Sequence, residues 1–172
     1  AHKGPLAERM VLIEPIYLPR EFYKMEITVE RHPLASKSIR RRNSWSDRDE
    51  ATDYLQSKDL FSRWDPEVLE LYLDYGLRDA DAGGLTLACQ PGREAALFMG
   101  GREHDPWPLL PLIECPALLL EGEVSENRPF IDLKKAAFEF PNGGYMLIEG
   151  AGHLVPMERP REVARAATEF FE

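Results

Sequence analysis

Four consecutive apolar residues, Met10-Val11-Leu12-Ile13, are closed by Glu14-Pro15. A run this short, with no polar residue alternating through it, suits a strand buried on both faces of a parallel sheet, and Pro15 ends it. Two runs of the same kind lie far down the chain. Ala117-Leu118-Leu119-Leu120 follows Cys115-Pro116 and leads to Gly122, and Tyr145-Met146-Leu147-Ile148 leads into a glycine-bearing loop. Between them a helix is expected over residues 129 to 139, bounded by Asn127 and Pro141. After the third run, Glu149-Gly150-Ala151-Gly152-His153 leads to Pro160 and a final helix whose Val163, Ala167, Phe170 and Phe171 share a face. Strand, helix, strand, loop, helix is the order of an α/β unit, so the fold class is α/β, with a three-stranded parallel sheet and helices packed on it.

Residues 15 to 112, between the first and second runs, carry helix signals and little strand signal. Ser46, followed by Asp47, Asp49 and Glu50, offers an N-cap and an acidic first turn for a helix to about Lys58, with Ala51, Tyr54 and Leu55 on one face. Asp65-Pro66-Glu67 places an N-cap before a proline at the first helical position; the stripe Val68, Leu69, Leu71, Tyr72 and Tyr75 follows, and Gly76 stops it. Residues 85 to 89 form a short apolar run and residues 91 to 99 a further helix. The expected organisation is a core segment over 1–14, a mostly helical insertion over 15–112 and an α/β segment over 113–172. Residues 1–9 read as the tail of a helix with its loop, so the chain begins partway through an element.

Charge and composition remove several function classes. The chain has 21 Lys and Arg against 30 Asp and Glu, a net charge of −9, which argues against a sequence-independent nucleic-acid binder. Residues 1–44 hold nine basic against five acidic residues, a net of +4, leaving −13 for the rest. Arg40-Arg41-Arg42 reads as a solvated loop, and Trp45, Trp64 and Trp107 as packing anchors. Cys89 and Cys115 form neither a disulfide framework nor a C-x-x-C pair; both read as small buried apolar residues, and no metal or cofactor is expected. No run approaches the length of a membrane span and nothing resembles a signal peptide, which gives a cytoplasmic location and no membrane partner.

In an open parallel sheet, functional groups collect beyond the carboxyl ends of the strands. Three such ends are visible: Glu14, the loop over residues 122 to 128, and His153. Gly150 and Gly152 permit a tight path that holds the His153 imidazole over the sheet edge, where it is suited to general-base work near neutral pH. Each residue also has a plain structural reading, His153 as a core or loop histidine and Glu14 as a cap or surface carboxylate beside Pro15.

The segment Ile113-Glu114-Cys115-Pro116-Ala117-Leu118-Leu119-Leu120-Glu121-Gly122-Glu123, followed by Gly150-Ala151-Gly152-His153-Leu154-Val155-Pro156-Met157-Glu158-Arg159-Pro160, resembles the C-terminal part of an α/β-hydrolase. In that family the first segment is the seventh strand with its acid turn and the second is the catalytic-histidine loop. Val11-Leu12-Ile13-Glu14-Pro15 resembles the sixth strand, and the insertion resembles the cap, so the resemblance covers essentially the whole chain. It implies that His153 is the general base of a hydrolase. The complete enzyme would act on a small, largely apolar, ester-like substrate bound under the cap, through a covalent intermediate on a nucleophile.

Two departures from the family pattern shape the expectation. No G-x-S-x-G occurs in the 172 residues. The resemblance therefore puts the nucleophile, the oxyanion-hole amides and the first five strands upstream, and implies that this chain alone is inactive. Ser125 stands where the family's acid stands after the seventh strand, and a serine cannot hold an imidazolium by charge. Glu14 is the favoured acid, because some family members place it after the sixth strand; Glu123 and Glu126 are alternatives from the Ser125 loop. Asp132 is expected inside the next helix, at the surface. The sixth strand would leave an open apolar edge, so the chain is expected to pair with the N-terminal half of the fold or to self-associate through residues 10–14. Ser125 also keeps open a non-catalytic ligand-binding or interaction module of the same fold.

Overall fold

The computed structural model describes residues 7–172. The expected helix tail and loop at the start is met only at Ala7, Glu8 and Arg9, which have no regular structure; the rest of that expectation lies outside the described residues. The chain divides into two compact units. Lys24–His104 is one, and the described chain up to Tyr23 together with Asp105–Glu172 is the other.

Strand β1 (Met10–Ile13) opens the second of these. The chain then enters the Lys24–His104 unit, which contains α1 (Pro33–Ser38), α2 (Arg48–Gln56), α3 (Asp59–Ser62), α4 (Pro66–Tyr75), β2 (Leu77–Asp79), β3 (Leu85–Leu87) and α5 (Pro91–Gly100). Helix α4 starts and stops where its signals place it, with the Asp65 carboxylate accepting from the Glu67 N–H at 2.9 Å. Helix α2 is capped one residue later than its sequence implies. Asp47, not Ser46, takes the Glu50 N–H at 2.9 Å, while the Ser46 backbone N–H and hydroxyl both donate to the Glu50 side chain. The carboxylate is the stronger acceptor for the orphan amide, which leaves Ser46 outside the helix.

The antiparallel pair β2 and β3 adds two short strands to this mostly helical stretch. Leu77 is buried but Arg78 and Asp79 are exposed, so β2 carries a single inward residue and no visible alternation. Both strands serve the unit's core, where Leu77 and Leu87 join Trp45, Ala51, Leu55, Phe61, Leu69 and Leu73, with Trp64 packed against them. Arg41 pairs with Glu94 at 2.9 Å and Arg42 pairs with Glu50, so two of the three adjacent arginines are tied down within the unit. Cys89 is exposed and Cys115 half-buried, contrary to the buried reading, because both lie in turns just outside β3 and the next strand.

The remaining unit resumes with β4 (Ala117–Gly122), α6 (Leu133–Glu139), β5 (Gly143–Ile148), α7 (Val155–Glu158) and α8 (Pro160–Phe171). The sheet has the order β1-β4-β5 and is parallel throughout. The central strand β4 is buried along its whole length, as its unbroken apolar run requires. Ala117 and Leu119 face Ala136, Ala137 and Phe140 of the α6 segment, with Trp107 packed against them, while Leu118 and Leu120 face Ala166, Val163 and Phe170 of α8. Helices therefore cover both faces.

Two helix details differ from the sequence reading. Helix α6 begins at Leu133; Asp132 is its N-cap, accepting from the Lys135 N–H at 2.8 Å, and residues 129 to 131 form a turn closed on the Asn127 carbonyl. In α8 the inward face is Val163, Ala166 and Phe170, and Phe171, a further 100° around the helix, is exposed. No helix among the described residues is long and apolar enough to cross a membrane.

Candidate active site

The parallel register sets Ile13 beside Leu120 and Gly122 beside Ile148, which brings the carboxyl ends of all three strands together. Glu14 is the first residue beyond β1. Its N–H donates to the Leu120 carbonyl at 2.9 Å, extending the ladder by one bond, and its backbone then turns into the left-handed region with φ 47°. Pro15 does not account for this, since the residue before a proline is pushed toward extended backbone at negative φ. A non-glycine residue held at positive φ costs on the order of 1–3 kcal/mol and persists only where its surroundings fix it. Here the surroundings are three hydrogen-bonding groups from the other two strand ends.

Glu14 is 5% exposed. Its Oε1 accepts from the Gly122 N–H at 2.7 Å, its Oε2 accepts from the Ser125 hydroxyl at 3.0 Å, and Oε2 lies 3.0 Å from Nδ1 of His153. Ser125, where the resemblance places the family's acid, thus donates to the Glu14 carboxylate. The His153 ring is about one-third exposed, and its Nε2 makes no hydrogen bond within the described residues.

The loop that carries His153 is seated directly on the end of β4. A Cβ added to Gly122 would lie 2.2 Å from the Gly152 carbonyl oxygen and 2.5 Å from that of Ala151, so only glycine allows the approach. Gly150 turns the chain at φ 62°, but Gly152 has no positive φ; the second glycine that the path demands is Gly122, on the neighbouring strand. The two loops are then joined by backbone bonds from Glu123 N–H to the Ile148 carbonyl and from Val124 N–H to the Ala151 carbonyl, both 3.0 Å. Buried Glu158 accepts from the Gly152 N–H at 2.9 Å, and Arg159 donates to the Gly150 carbonyl at 3.2 Å.

The alternative acids are placed otherwise. Glu123 accepts from the Gly150 N–H at 3.0 Å and Glu126 from the His153 backbone N–H at 3.4 Å, so both brace the loop backbone. Two residues that sequence reasoning gave no role belong to the site: Glu158, and Asn127, whose side-chain amide is 2.9 Å from His153 Nδ1. Glu158 lies inside the histidine-loop segment, whereas Asn127 carries only a helix-boundary signal in the sequence. Beside the site, the Tyr145 hydroxyl donates to buried Glu121, with Arg128 3.4 Å from the same carboxylate. Burial, and then the Glu121 carboxylate, push the Tyr145 phenol well up from its usual range.

Residues 2–166 match the family model described as the alpha/beta hydrolase family. The chain belongs to that family. Among curated proteins, this alpha/beta hydrolase is 23% identical to the abhydrolase domain-containing protein AFT2-1 of Alternaria alternata, with 95% of this chain and 73% of that protein covered. Among solved structures it is similar to E-2-(acetamidomethylene)succinate hydrolase, with 20% identity, a TM-score of 0.75, and 96% of this chain and 58% of that one covered. It is also similar to the peroxisomal alpha-beta-hydrolase Lpx1 of Saccharomyces cerevisiae, with 17% identity, a TM-score of 0.74, and 96% and 47% covered. At such identities the two structures show the alpha/beta hydrolase fold, and this chain spans about half the length of each.

Proposed function

We propose that this chain supplies the base and acid of a hydrolytic site, with His153 as general base and Glu14 as the carboxylate that orients it. The observation that carries the reading is the 3.0 Å contact between Glu14 Oε2 and His153 Nδ1, made by a buried carboxylate on a backbone held at positive φ. A carboxylate on Nδ1 holds the ring in place and stabilises the imidazolium formed when Nε2 takes a proton from a nucleophile. The nucleophile and the oxyanion-hole donors come, on this reading, from a segment outside these residues that pairs with the side of β1 that no strand occupies among the described residues. The substrate is small, largely apolar and ester-like, and residues 24–104 act as the cap insertion. The Ser125 hydroxyl, by donating to Glu14, supports Glu14 as the acid over the alternative of a non-catalytic binding module.

Hydrolysis of short-chain nitrophenyl esters tests this, with the 172-residue chain alone and co-expressed with the strand-and-elbow segment encoded next to it. The chain alone should be inactive and the pair active. In the pair, His153→Ala should lower kcat by about 10⁶-fold and Glu14→Gln by about 10⁴-fold. An active pair indifferent to His153→Ala would end the reading, as would an adjacent segment with no strand followed by a serine, cysteine or aspartate elbow.

A further inference from the structure

Nδ1 of His153 has two neighbours, Glu14 Oε2 at 3.0 Å and the Asn127 side-chain amide at 2.9 Å. A ring nitrogen presents either one proton or one lone pair in the ring plane, and whatever faces it must match. The Glu14 carboxylate is an acceptor at both oxygens, and its other contacts, the Gly122 N–H and the Ser125 hydroxyl, are both donors. If Asn127 offered its NH₂ group, Nδ1 would have to be bare. Its lone pair would then face a carboxylate oxygen at 3.0 Å at a buried position, where repulsion between acceptors is poorly screened.

The two ends of an amide have the same shape, so half a turn about the last side-chain bond keeps every contact and exchanges nitrogen for oxygen. We propose that Asn127 presents its carbonyl oxygen to His153, so that Glu14 and Asn127 share the Nδ1 proton and Nε2 is the bare nitrogen of the neutral ring. The inference rests on the reading of His153 as the base and deepens it, making Asn127 a positioning residue that acts through the imidazole. Its backbone is suited to that task. The Asn127 N–H donates to the Ser125 hydroxyl at 3.3 Å, and its carbonyl accepts from the N–H groups of Phe130 at 2.9 Å and Ile131 at 2.8 Å, so the residue is pinned at both ends of its own turn. When Nε2 takes a proton, the Nδ1 proton stays in place, and the negative end of the amide dipole adds to the carboxylate in facing the new charge.

Long-range proton–nitrogen correlation spectra of the ¹⁵N-labelled 172-residue chain, at a pH where the ring is neutral, read the tautomer directly, with the His153 signals assigned by their loss in His153→Gln. The expected result is a protonated Nδ1 and a bare Nε2. Asn127→Asp, which can only accept, should preserve that pattern. Asn127→Leu should let the Nδ1 proton exchange with water about fivefold to tenfold faster, the effect of one lost hydrogen bond. A protonated Nε2 in the unaltered chain would overturn the inference. So would loss of the Nδ1 proton in Asn127→Asp, or unchanged exchange in an Asn127→Leu variant whose backbone amide spectrum is intact. If Asn127→Leu does not fold, the unaltered chain and Asn127→Asp still decide. No turnover is involved, so an inactive reconstituted enzyme would sink the hydrolase reading without touching Asn127, and unchanged Nδ1 exchange in Asn127→Leu would sink this inference without touching His153 as the base.

Discussion

Glu14 concentrates the constraints of the site in one position, since its side chain joins three strand ends while its backbone occupies a region that favours glycine. The two contributions can be separated. Glu14→Ala and Glu14→Gly both remove the carboxylate, and only the alanine keeps a Cβ at φ 47°. Glu14→Gly should therefore be the more stable by about 1 kcal/mol in urea unfolding; equal midpoints would mean that the turn is unstrained. At this scale the sequence was readable where chain order alone places a residue, as it does for Glu14 and His153, each just beyond a strand. It was unreadable where identity depends on a partner distant in sequence. Nothing about Gly122 or Asn127 announces that one must admit the Ala151 and Gly152 carbonyls and the other must meet an imidazole 26 positions away.

Among the elements, helix α1 has an uncommon cap. His32 Nδ1 accepts from the N–H groups of Leu34 at 3.3 Å and Ala35 at 3.2 Å, with the ring stacked on Phe98. Burial, and then the Arg102 guanidinium, lower the His32 imidazole below its ordinary value. Above about pH 6.5 His32 is neutral in folded and unfolded chains alike and the cap contributes in full. As pH falls through that value the unfolded chain takes up a proton that folded His32 resists, so this contribution to stability is lost toward acid. Thermal midpoints should drop more steeply from pH 7 to pH 5 in the unaltered chain than in His32→Asn, which keeps a cap acceptor without the titration; parallel curves would count against it. The same comparison explains which elements were legible. Helix α4 had its whole start signal in three adjacent residues, Asp65-Pro66-Glu67, and was placed as observed. Strand β2 owes its existence to pairing with β3 and to one buried leucine, which a local pattern does not record.

For the whole molecule, the consequential fact is that β1 pairs on one side only among the described residues, leaving the other side of Met10–Ile13 without a strand. Apolar strands with a free edge recruit partners. The chain should elute above its monomer mass at micromolar concentration, or become monomeric only with the nucleophile-bearing segment bound. A stable monomer whose amides at residues 10–14 resist hydrogen exchange would refute this. The parallel arrangement was foreseeable from three unbroken apolar runs, whereas the positions where the chain leaves one compact unit for the other, after Tyr23 and after His104, carry no comparable signal.

The alignment of Ile13 with Leu120 and of Gly122 with Ile148 has one more consequence. A strand advances about 3.3 Å per residue, and a slip by one also turns every side chain to the opposite face. Glu14 and His153 meet at 3.0 Å, so the smallest slip available to β1 would part them completely. The ladder therefore works as a gauge block: a chain that has zipped its strands in any other alignment has no poised imidazole, and a probe that sees the Glu14–His153 pair is at the same time counting the strands into place.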